Sequence, residues 1–300
     1  MVNIVTNYNC TQNCGFCFQR EMKNQDKIMS LEDFKKTIDW MCKQKVFRKR
    51  VKILGGEPTL HPNFKEMINY LKEKKIVATI LTNFYFDKKN LKYFLPEVVE
   101  EVLGTYYPSK KSDYNVKELI KKGNTVVLSY NISKKNKNYK YIIDATKKFG
   151  LKKVRFSIAH PSSRRKNDYV KIEELTEVGK VVMDFVRDCV NNDLTPVLDC
   201  TLPLCMLGDK KNIKYFTEKV TNSTEPCGIP LDLTPDMDFI YCFPLAEYAK
   251  TNINEVKSFK DLTKALDVSK LREKFLFEDC KTCVYWYRKQ CQGGCLALKT

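Results

Sequence analysis

The sequence lacks an export signal and any long apolar run: Met1-Val2-Asn3-Ile4 leads straight into strand-like sequence, with no basic segment or apolar core ahead of it. That absence argues against secretion and membrane insertion and points to a cytoplasmic protein. No internal repeat or low-complexity segment occurs, and 43% hydrophobic residues are enough for a real core. Histidine is scarce, with His61 and His160 alone, and arginines are few beside the lysines. The balance of 53 basic against 36 acidic residues, a net +17, could attract nucleic acid, an acidic peptide or a phosphorylated substrate. Dedicated phosphate readers lean on arginine forks, however, whereas this excess is lysine scattered as Lys35-Lys36, Lys72 to Lys75, Lys88-Lys89 and Lys121-Lys122. Solvated faces explain it better, and a nucleic-acid partner is disfavoured.

Cysteine is in excess. Thirteen is an odd number and a high one for 300 residues, and without an export signal metal ligation explains it better than disulfides. Three thiols crowd into Cys10-Thr11-Gln12-Asn13-Cys14-Gly15-Phe16-Cys17, directly after the apolar run Val2 to Val5. A structural zinc or a closed iron–sulfur cluster takes four protein ligands, so a three-thiolate loop on the end of a strand suggests one coordination position left open.

Ser30 is the expected N-cap of a first helix, with Leu31, Phe34, Ile38 and Met41 at helical spacing. Val51 to Leu54 reads as a strand feeding the Gly55-Gly56 turn. Pro62 to Lys74 is the second helix, Ile76 to Leu81 a strand, Asp87 to Leu95 a third helix, and Val98 to Leu103 a weak strand. The alternation continues with a helix over Asp113 to Lys121, a strand over Thr125 to Tyr130, a helix over Asn138 to Phe149, a strand over Val154 to Ile158, a long helix over Glu173 to Val190 and a strand over Thr195 to Leu198. This order calls for an α/β fold with a parallel sheet and helices packed outside. About six β/α units are too few to close an eightfold barrel, so a partial (β/α)6 barrel is expected, with ligands at the carboxyl ends of its strands. After Cys200, Pro203, Gly208, Pro226, Pro230, Pro235 and Pro244 break up the chain and cysteines crowd together. We expect a barrel domain over 1–205 and a small Cys-rich domain over 206–300, with the boundary in the loop from Cys200 to Glu225.

The Cys-x3-Cys-x2-Cys spacing with Phe16 before the last thiol resembles the cluster loop of the radical S-adenosylmethionine (radical SAM) superfamily. Gly55-Gly56-Glu57-Pro58, at the end of the second strand, resembles the GGEP motif of the same superfamily. Two glycines let the backbone approach a ligand closely, and Glu57 can accept from a ligand's ammonium group. The resemblance implies that Cys10, Cys14 and Cys17 hold three irons of a [4Fe–4S] cluster and that S-adenosylmethionine binds the fourth through its amino and carboxylate groups. The reduced cluster would split the sulfonium, giving methionine and a 5′-deoxyadenosyl radical that abstracts a substrate hydrogen. It implies a low-potential electron donor such as flavodoxin or ferredoxin. Thr82-Asn83, and Ser129 with Asn131, occupy strand ends where family members contact the methionine and ribose parts of the cofactor. The chain departs from the family in having Phe84 where Gly often follows Thr-Asn, and Asn131 in place of Asp.

In the second cysteine field, Cys227 and Cys242 flank an expected hairpin, Leu231 to Tyr241, and are followed by Cys280-x2-Cys283 and Cys291-Gln292-Gly293-Gly294-Cys295. These six thiols resemble the SPASM/twitch extension that carries one or two auxiliary [4Fe–4S] clusters. A one-cluster twitch form would need only Cys227, Cys242, Cys280 and Cys283; Cys291 and Cys295 point to the two-cluster form. Family members have a further downstream cysteine, which a chain ending at Thr300 lacks. Either one cluster has an open or non-cysteine ligand, or Cys205 or Cys200 completes the set; a closed zinc site is the structural alternative. Cys42 and Cys189 are expected core cysteines.

Phe243 follows Cys242 where sulfatase-maturing members carry an aspartate base, which weakens a formylglycine-generating reading. Asp232, Asp236, Asp238 and Glu247 are expected in turn and surface roles. His61 is expected to orient the loop beneath the cofactor, and His160 follows a strand end; no catalytic acid or base is assigned. The leading expectation is a radical SAM maturase acting on a peptide or protein. With no leader-peptide recognition module ahead of the barrel, recruitment is expected through a separate protein or the basic surface. The alternatives are a dehydrogenase or epimerase of a small molecule such as an aminocyclitol or sugar, and a metal-stabilised nucleic-acid-binding protein, which cannot explain GGEP.

Overall fold

The computed structural model describes residues 1–23, 25–225, 227 and 231–300; Pro226 and Pro230 of the proline-broken stretch lie outside them. The strands are β1 (Val2–Val5), β2 (Arg50–Leu54), β3 (Val77–Thr82), β4 (Val99–Thr105), β5 (Thr125–Ile132), β6 (Lys153–Ile158), β7 (Thr195–Leu198), β8 (Asp232–Leu233), β9 (Asp238–Ile240) and β10 (Lys250–Asn252). The main helices are α1 (Leu31–Cys42), α2 (Phe64–Glu73), α3 (Lys110–Lys121), α4 (Lys140–Lys148), α5 (Leu175–Asn191) and α6 (Lys210–Lys219). Six strand-to-strand connections, five through an α-helix and one through a 3-10 helix, thus precede β7, and the α/β architecture is the expected one. Two elements differ from expectation. The stretch after β3 is a short 3-10 helix, Lys88–Tyr93, rather than an α-helix, and the weak strand at 98–103 is a full seven-residue strand, β4.

The chain divides into two compact units, each drawn from several stretches: Met1–Asn13, Glu21–Val127 and Ile229–Asp267 in the first, and Cys14–Arg20, Leu128–Gly228 and Val268–Thr300 in the second. This division does not follow the boundary near residue 205. In the first unit β1, β2, β3 and β4 run parallel in that order, and β8 adds to β1, also in parallel, with Asn3 opposite Asp232 and Ile4 opposite Leu233. β8 and β9 form the expected hairpin, closed by Thr234 N donating to Asp238 O at 2.9 Å. Parallel strands buried on both faces need near-continuous apolar sequence, which Val2-Asn3-Ile4-Val5 and Arg50-Val51-Lys52-Ile53-Leu54 supply at their inward positions. Ser30 caps α1 by accepting from Asp33 N at 2.9 Å, and the helix buries Phe34, Thr37, Ile38 and Met41. Cys42 ends that helix exposed, not in the core as expected, because the buried stripe stops at Met41.

In the second unit β5, β6 and β7 are parallel neighbours. Phe185 of α5 anchors that core, with ring centroids 5.0 Å from Phe156 and 5.3 Å from Tyr139. Cys189, as expected, is fully buried on α5, and burial pushes its thiol up to about 12. Among the described residues no helix is long and apolar enough to cross a membrane.

Candidate functional site

The end of β1 runs on through Thr6, Asn7, Tyr8 and Asn9 into Cys10, and the turn after β2 lies directly on it. Gly56 N donates to Asn7 O at 2.8 Å and Glu57 N to Asn9 O at 2.7 Å. A Cβ on Gly55 would stand 2.5 Å from Asn7 O, and one on Gly56 would collide with Asn9 O. The glycine pair is therefore required by backbone against backbone, which packs the turn under the cysteine loop.

Glu57 is fully buried. Oε1 accepts from Thr59 Oγ1 at 2.8 Å and Thr59 N at 3.3 Å, and Oε2 from Thr82 Oγ1 at 2.8 Å and Asn83 N at 2.9 Å. Burial raises its carboxyl above the usual range, opposed by these donors. With both oxygens engaged by the protein, the side chain welds the end of β3 to the turn after β2, where the sequence reading gave it to a ligand's ammonium group. Pro58 opens the 3-10 turn that Glu57 caps. The Asn83 side chain reaches back to the cysteine loop, donating from Nδ2 to Cys10 Sγ at 3.6 Å and Thr11 Oγ1 at 3.3 Å, while Oδ1 accepts from Tyr85 N at 2.8 Å. Cys10, Glu57, Thr82 and Asn83 are thus one connected group. Asn7 lies beside it, 1% exposed, and its Oδ1 has no hydrogen-bond partner among the described residues.

Phe84, after the Thr-Asn pair, adopts a left-handed backbone, φ 58°. The ring is fully buried and Asn115 Nδ2 donates to the carbonyls of Phe84 at 3.0 Å and Phe86 at 2.9 Å, which holds the turn despite its side chain. His61 Nδ1 accepts from Asn63 N at 3.0 Å, so Nε2 is the protonated nitrogen and donates to Met29 O at 2.8 Å. The ring therefore pins the segment ahead of α1. Tyr8, Leu54, Phe243 and Ile240 form apolar packing with Val5 behind the loop, so Phe243 is a core residue. Asp232 accepts from Asn3 Nδ2 at 2.5 Å, Asp236 pairs with Lys27 at 2.7 Å, Asp238 with Lys250 at 2.6 Å, and Glu247 is exposed. Asp236 and Glu247 are exposed as expected, whereas Asp232 is buried in β8 and Asp238 is half-buried at the start of β9.

Cys14 and Cys17 belong to the second unit. Cys17 N donates to Cys14 O at 3.2 Å, forming a tight turn, and the loop after β6 clasps it. Asp168 N donates to Gly15 O at 2.8 Å, and Asn167 Nδ2 to Phe16 O at 3.1 Å and to His160 O at 2.8 Å. Tyr141 lies by Cys14: burial first, then that thiol, pushes its hydroxyl up to about 12. Sequence reasoning missed Asn7, Asn167, Asp168 and Tyr141, none of which sits in a motif. Ser129 and Asn131 share the same, half-buried face of β5, two residues apart.

The second cysteine field also falls in both units: Cys242 in the first, and Cys227, Cys280, Cys283, Cys291 and Cys295 in the second. Within the second unit Cys283 N donates to Cys280 O at 3.2 Å, and Cys291 N to Tyr285 O at 3.1 Å. Cys280 and Cys295 are buried, and burial leads in raising their thiols, whereas Cys200 and Cys205 are exposed. Among the described residues no three His, Cys, Asp or Glu side chains converge to hold a single metal ion.

Residues 4–126 match the model of the Radical SAM superfamily. A stretch of 76 residues is 32% identical to the antilisterial bacteriocin subtilosin biosynthesis protein AlbA of Bacillus subtilis (strain 168), covering 25% of this chain and only 16% of AlbA. Streptococcus suis SuiB bound to S-adenosylmethionine is similar in structure over 99% of this chain and 72% of its own, with a TM-score of 0.72 and 15% identity. Native anSMEcpe with bound AdoMet and Kp18Cys peptide is similar over 98% and 88%, with a TM-score of 0.69 and 18% identity. At such identities the likeness is one of fold.

Proposed function

Taking as premise that residues 4–126 are a radical SAM superfamily domain, we propose that this enzyme abstracts hydrogen from an unactivated C–H bond of a peptide or protein substrate. In this reading Cys10, Cys14 and Cys17 hold three irons of the superfamily's [4Fe–4S] cluster, with S-adenosylmethionine at the fourth. When bound, the cluster supplies the electron that cleaves S-adenosylmethionine to methionine and a 5′-deoxyadenosyl radical. The observation that carries the reading is the linkage of Cys10 through Asn83 to the buried Glu57. The Asn83 amide donates to the thiol sulfur, a contact that withdraws charge from a thiolate ligand and tunes its potential.

Glu57 fixes the ends of β2 and β3 in register, so the backbone of Gly55 to Pro58 and the Thr82-Asn83 pair can present their remaining polar groups to the methionine part of the cofactor. Asn7 Oδ1, buried and without a hydrogen-bond partner among the described residues, is an acceptor suited to an ammonium group. Ser129 and Asn131, on one face of β5, are suited to the ribose. A low-potential flavodoxin or ferredoxin would reduce the cluster. A peptide substrate is supported by the proteins this chain resembles: SuiB is described bound to the precursor peptide SuiA, anSMEcpe with the Kp18Cys peptide, and AlbA acts in bacteriocin biosynthesis. Phe243 carries no proton-accepting group, so the position after Cys242 supplies no base for a formylglycine-generating reaction.

The test is anaerobic reconstitution with dithionite and S-adenosylmethionine. Wild type is expected to form 5′-deoxyadenosine, while a Cys10→Ala, Cys14→Ala, Cys17→Ala triple variant forms none and keeps only auxiliary iron. Full activity in the triple variant would overturn the reading. Mass spectrometry of short peptides encoded beside the gene, incubated with the reconstituted enzyme, checks the substrate class; modification of a sugar or aminocyclitol instead would move it to the small-molecule alternative.

A further inference from the structure

We propose that the cleft between the 3-10 helix Lys88–Tyr93 and the first turn of α3 is a docking site for an acidic segment of the peptide substrate, whose carboxylates meet Lys88, Lys110 and Lys111. The proposal rests on the peptide reading of the substrate and adds to it the charge of the segment and the place where it is held.

The whole cleft belongs to the first unit and follows the carboxyl ends of β3 and β4. It has a volume of about 490 Å³, with Asp87 and Lys88 on one side and Lys110, Lys111, Tyr114 and Asn115 of α3 on the other. The turn from Phe84 to Phe86 ties it to the cysteine loop. Asn115 Nδ2 donates to the carbonyls of Phe84 and Phe86, Tyr85 N donates to Asn83 Oδ1, and Asn83 Nδ2 donates to Cys10 Sγ at 3.6 Å. A peptide seated here lies at the same carboxyl edge of the parallel strands as Cys10.

Three ammonium groups line the cleft against one carboxylate, and that carboxylate is engaged. Asp87 Oδ1 accepts from Lys89 N at 2.9 Å, and Oδ2 pairs with Lys89 Nζ at 3.5 Å. Lys88, Lys110 and Lys111 have no carboxylate partner among the described residues. Lys111 Nζ instead stands 4.4 Å from the centre of the Tyr85 ring, which holds its charge in place. The first-turn amides of Lys110 and Lys111 add partial positive charge, because the cap, Ser109 Oγ, takes Ser112 N at 3.0 Å and leaves them outside the helix's own bonding.

Asn115 gives an independent sign of a ligand. It is fully buried at the floor of the cleft, and its Oδ1 has no hydrogen-bond partner among the described residues. The orientation of the amide is fixed, since a flip would set Oδ1 against the two carbonyl oxygens that Nδ2 now serves. An unpaired buried acceptor costs free energy that a ligand N–H would recover. One residue before it, the Tyr114 ring is 48% exposed and, with the lysine stems, offers apolar surface. A peptide with acidic and apolar residues answers all of these groups at once: carboxylates for the ammonium groups, an apolar side chain for Tyr114, and a backbone N–H for Asn115. An inorganic anion would leave most of the cleft empty. The walls carry no arginine fork to grip phosphates in two places, which favours carboxylates over a nucleic-acid backbone.

The experiment measures binding to the full-length protein by fluorescence anisotropy. The probes are a labelled peptide of alternating glutamate and leucine, its lysine-for-glutamate counterpart and a labelled oligothymidylate. Wild type is expected to bind the acidic peptide and not the basic one, with an affinity that falls as salt is raised. The triple variant Lys88→Glu, Lys110→Glu, Lys111→Glu is expected to bind it about tenfold less tightly. Lys45→Glu, Lys117→Glu, Lys121→Glu makes the same change of net charge at exposed lysines outside the cleft and is expected to stay within about twofold of wild type. The single variants Lys88→Glu and Lys110→Glu, each expected to weaken binding about twofold, carry the test should the triple variant fail to fold. An N-methylated acidic probe, which keeps its charges but offers no amide donor, is expected to bind less tightly; affinity equal to that of the parent probe would overturn the Asn115 contact. No binding of the acidic peptide by wild type, unchanged binding in the cleft variants, or equal loss in the two triple variants would overturn the proposal. So would an oligothymidylate that binds more tightly than the peptide and is released by the cleft substitutions. A wild type that makes no 5′-deoxyadenosine would fail the radical reading while leaving the anisotropy result standing, so the two failures are distinguishable.

Discussion

His61 carries one of the few pH-sensitive contacts near the cysteine loop. Burial lowers its pKa from the ordinary 6.5, opposed by its bond to Met29 O. Because Nδ1 already accepts from Asn63 N, protonation there would break a buried hydrogen bond. A base whose folded pKa is depressed contributes stability that is present above 6.5 and is lost as pH falls through the folded value. In an NMR titration of the two histidine rings, one signal is expected to titrate below 6.5 and to vanish in His61→Gln. A ring titrating at or above the ordinary value would contradict the buried, neutral assignment. The sequence reading has His61 orienting the loop beneath the cofactor, whereas its ring bonds Met29 O and Asn63 N, contacts that no motif foretells. Nor does the sequence make Glu57 legible: a motif glutamate reads as a ligand contact, and only tertiary structure reveals that Thr59, Thr82 and Asn83 consume its oxygens. Phe84 misleads in the same way. A left-handed turn asks for glycine, and its tolerance of phenylalanine depends on a fully buried ring and on Asn115, 31 residues away in the chain.

At the scale of elements, α5 is the member on which the second unit depends, since it presents Phe185 to the core and Gly179 to the turn bearing Cys205. Gly179→Ala inserts a methyl group against Met206 O, and such overpacking typically costs about 1–3 kcal/mol. We expect a lowered urea midpoint. A Gly179→Ala protein with the wild-type midpoint would show that the helix and the turn are not tightly held. Helices and strands with regular apolar periodicity were legible to within a few residues, as with α1, α5 and β6. The 3-10 segment after β3 was not, because Leu91, Phe94 and Leu95 place apolar residues at helical spacing over too short a run for i to i+4 bonding to prevail. β4 looked weak because Glu100 and Glu101 interrupt its apolar pattern, and pairing along β3 overrides that interruption.

At the scale of the whole molecule, the net +17 is carried by lysines whose ion pairs, such as Lys72 with Glu97 at 2.9 Å, are solvent-exposed and contribute little. The division of the chain is what a linear reading handles least well. A boundary near 205 follows a change in composition, whereas the compact units follow contacts, and the pairing of residue 4 with residue 233 leaves no trace in local periodicity. That pairing has a practical consequence. Without β8, the outer side of β1 would present Val2-Asn3-Ile4-Val5 as an open row of unpaired backbone donors and acceptors, an apolar template for another chain. A polypeptide of residues 1–205 alone is therefore expected to associate into insoluble, strand-paired material, detectable by light scattering and thioflavin binding, while the full chain stays clear. If the shortened chain remains monomeric, β8 is dispensable to β1; if it aggregates, the hairpin beyond Cys227 acts as a built-in solubility tag for the amino-terminal strand.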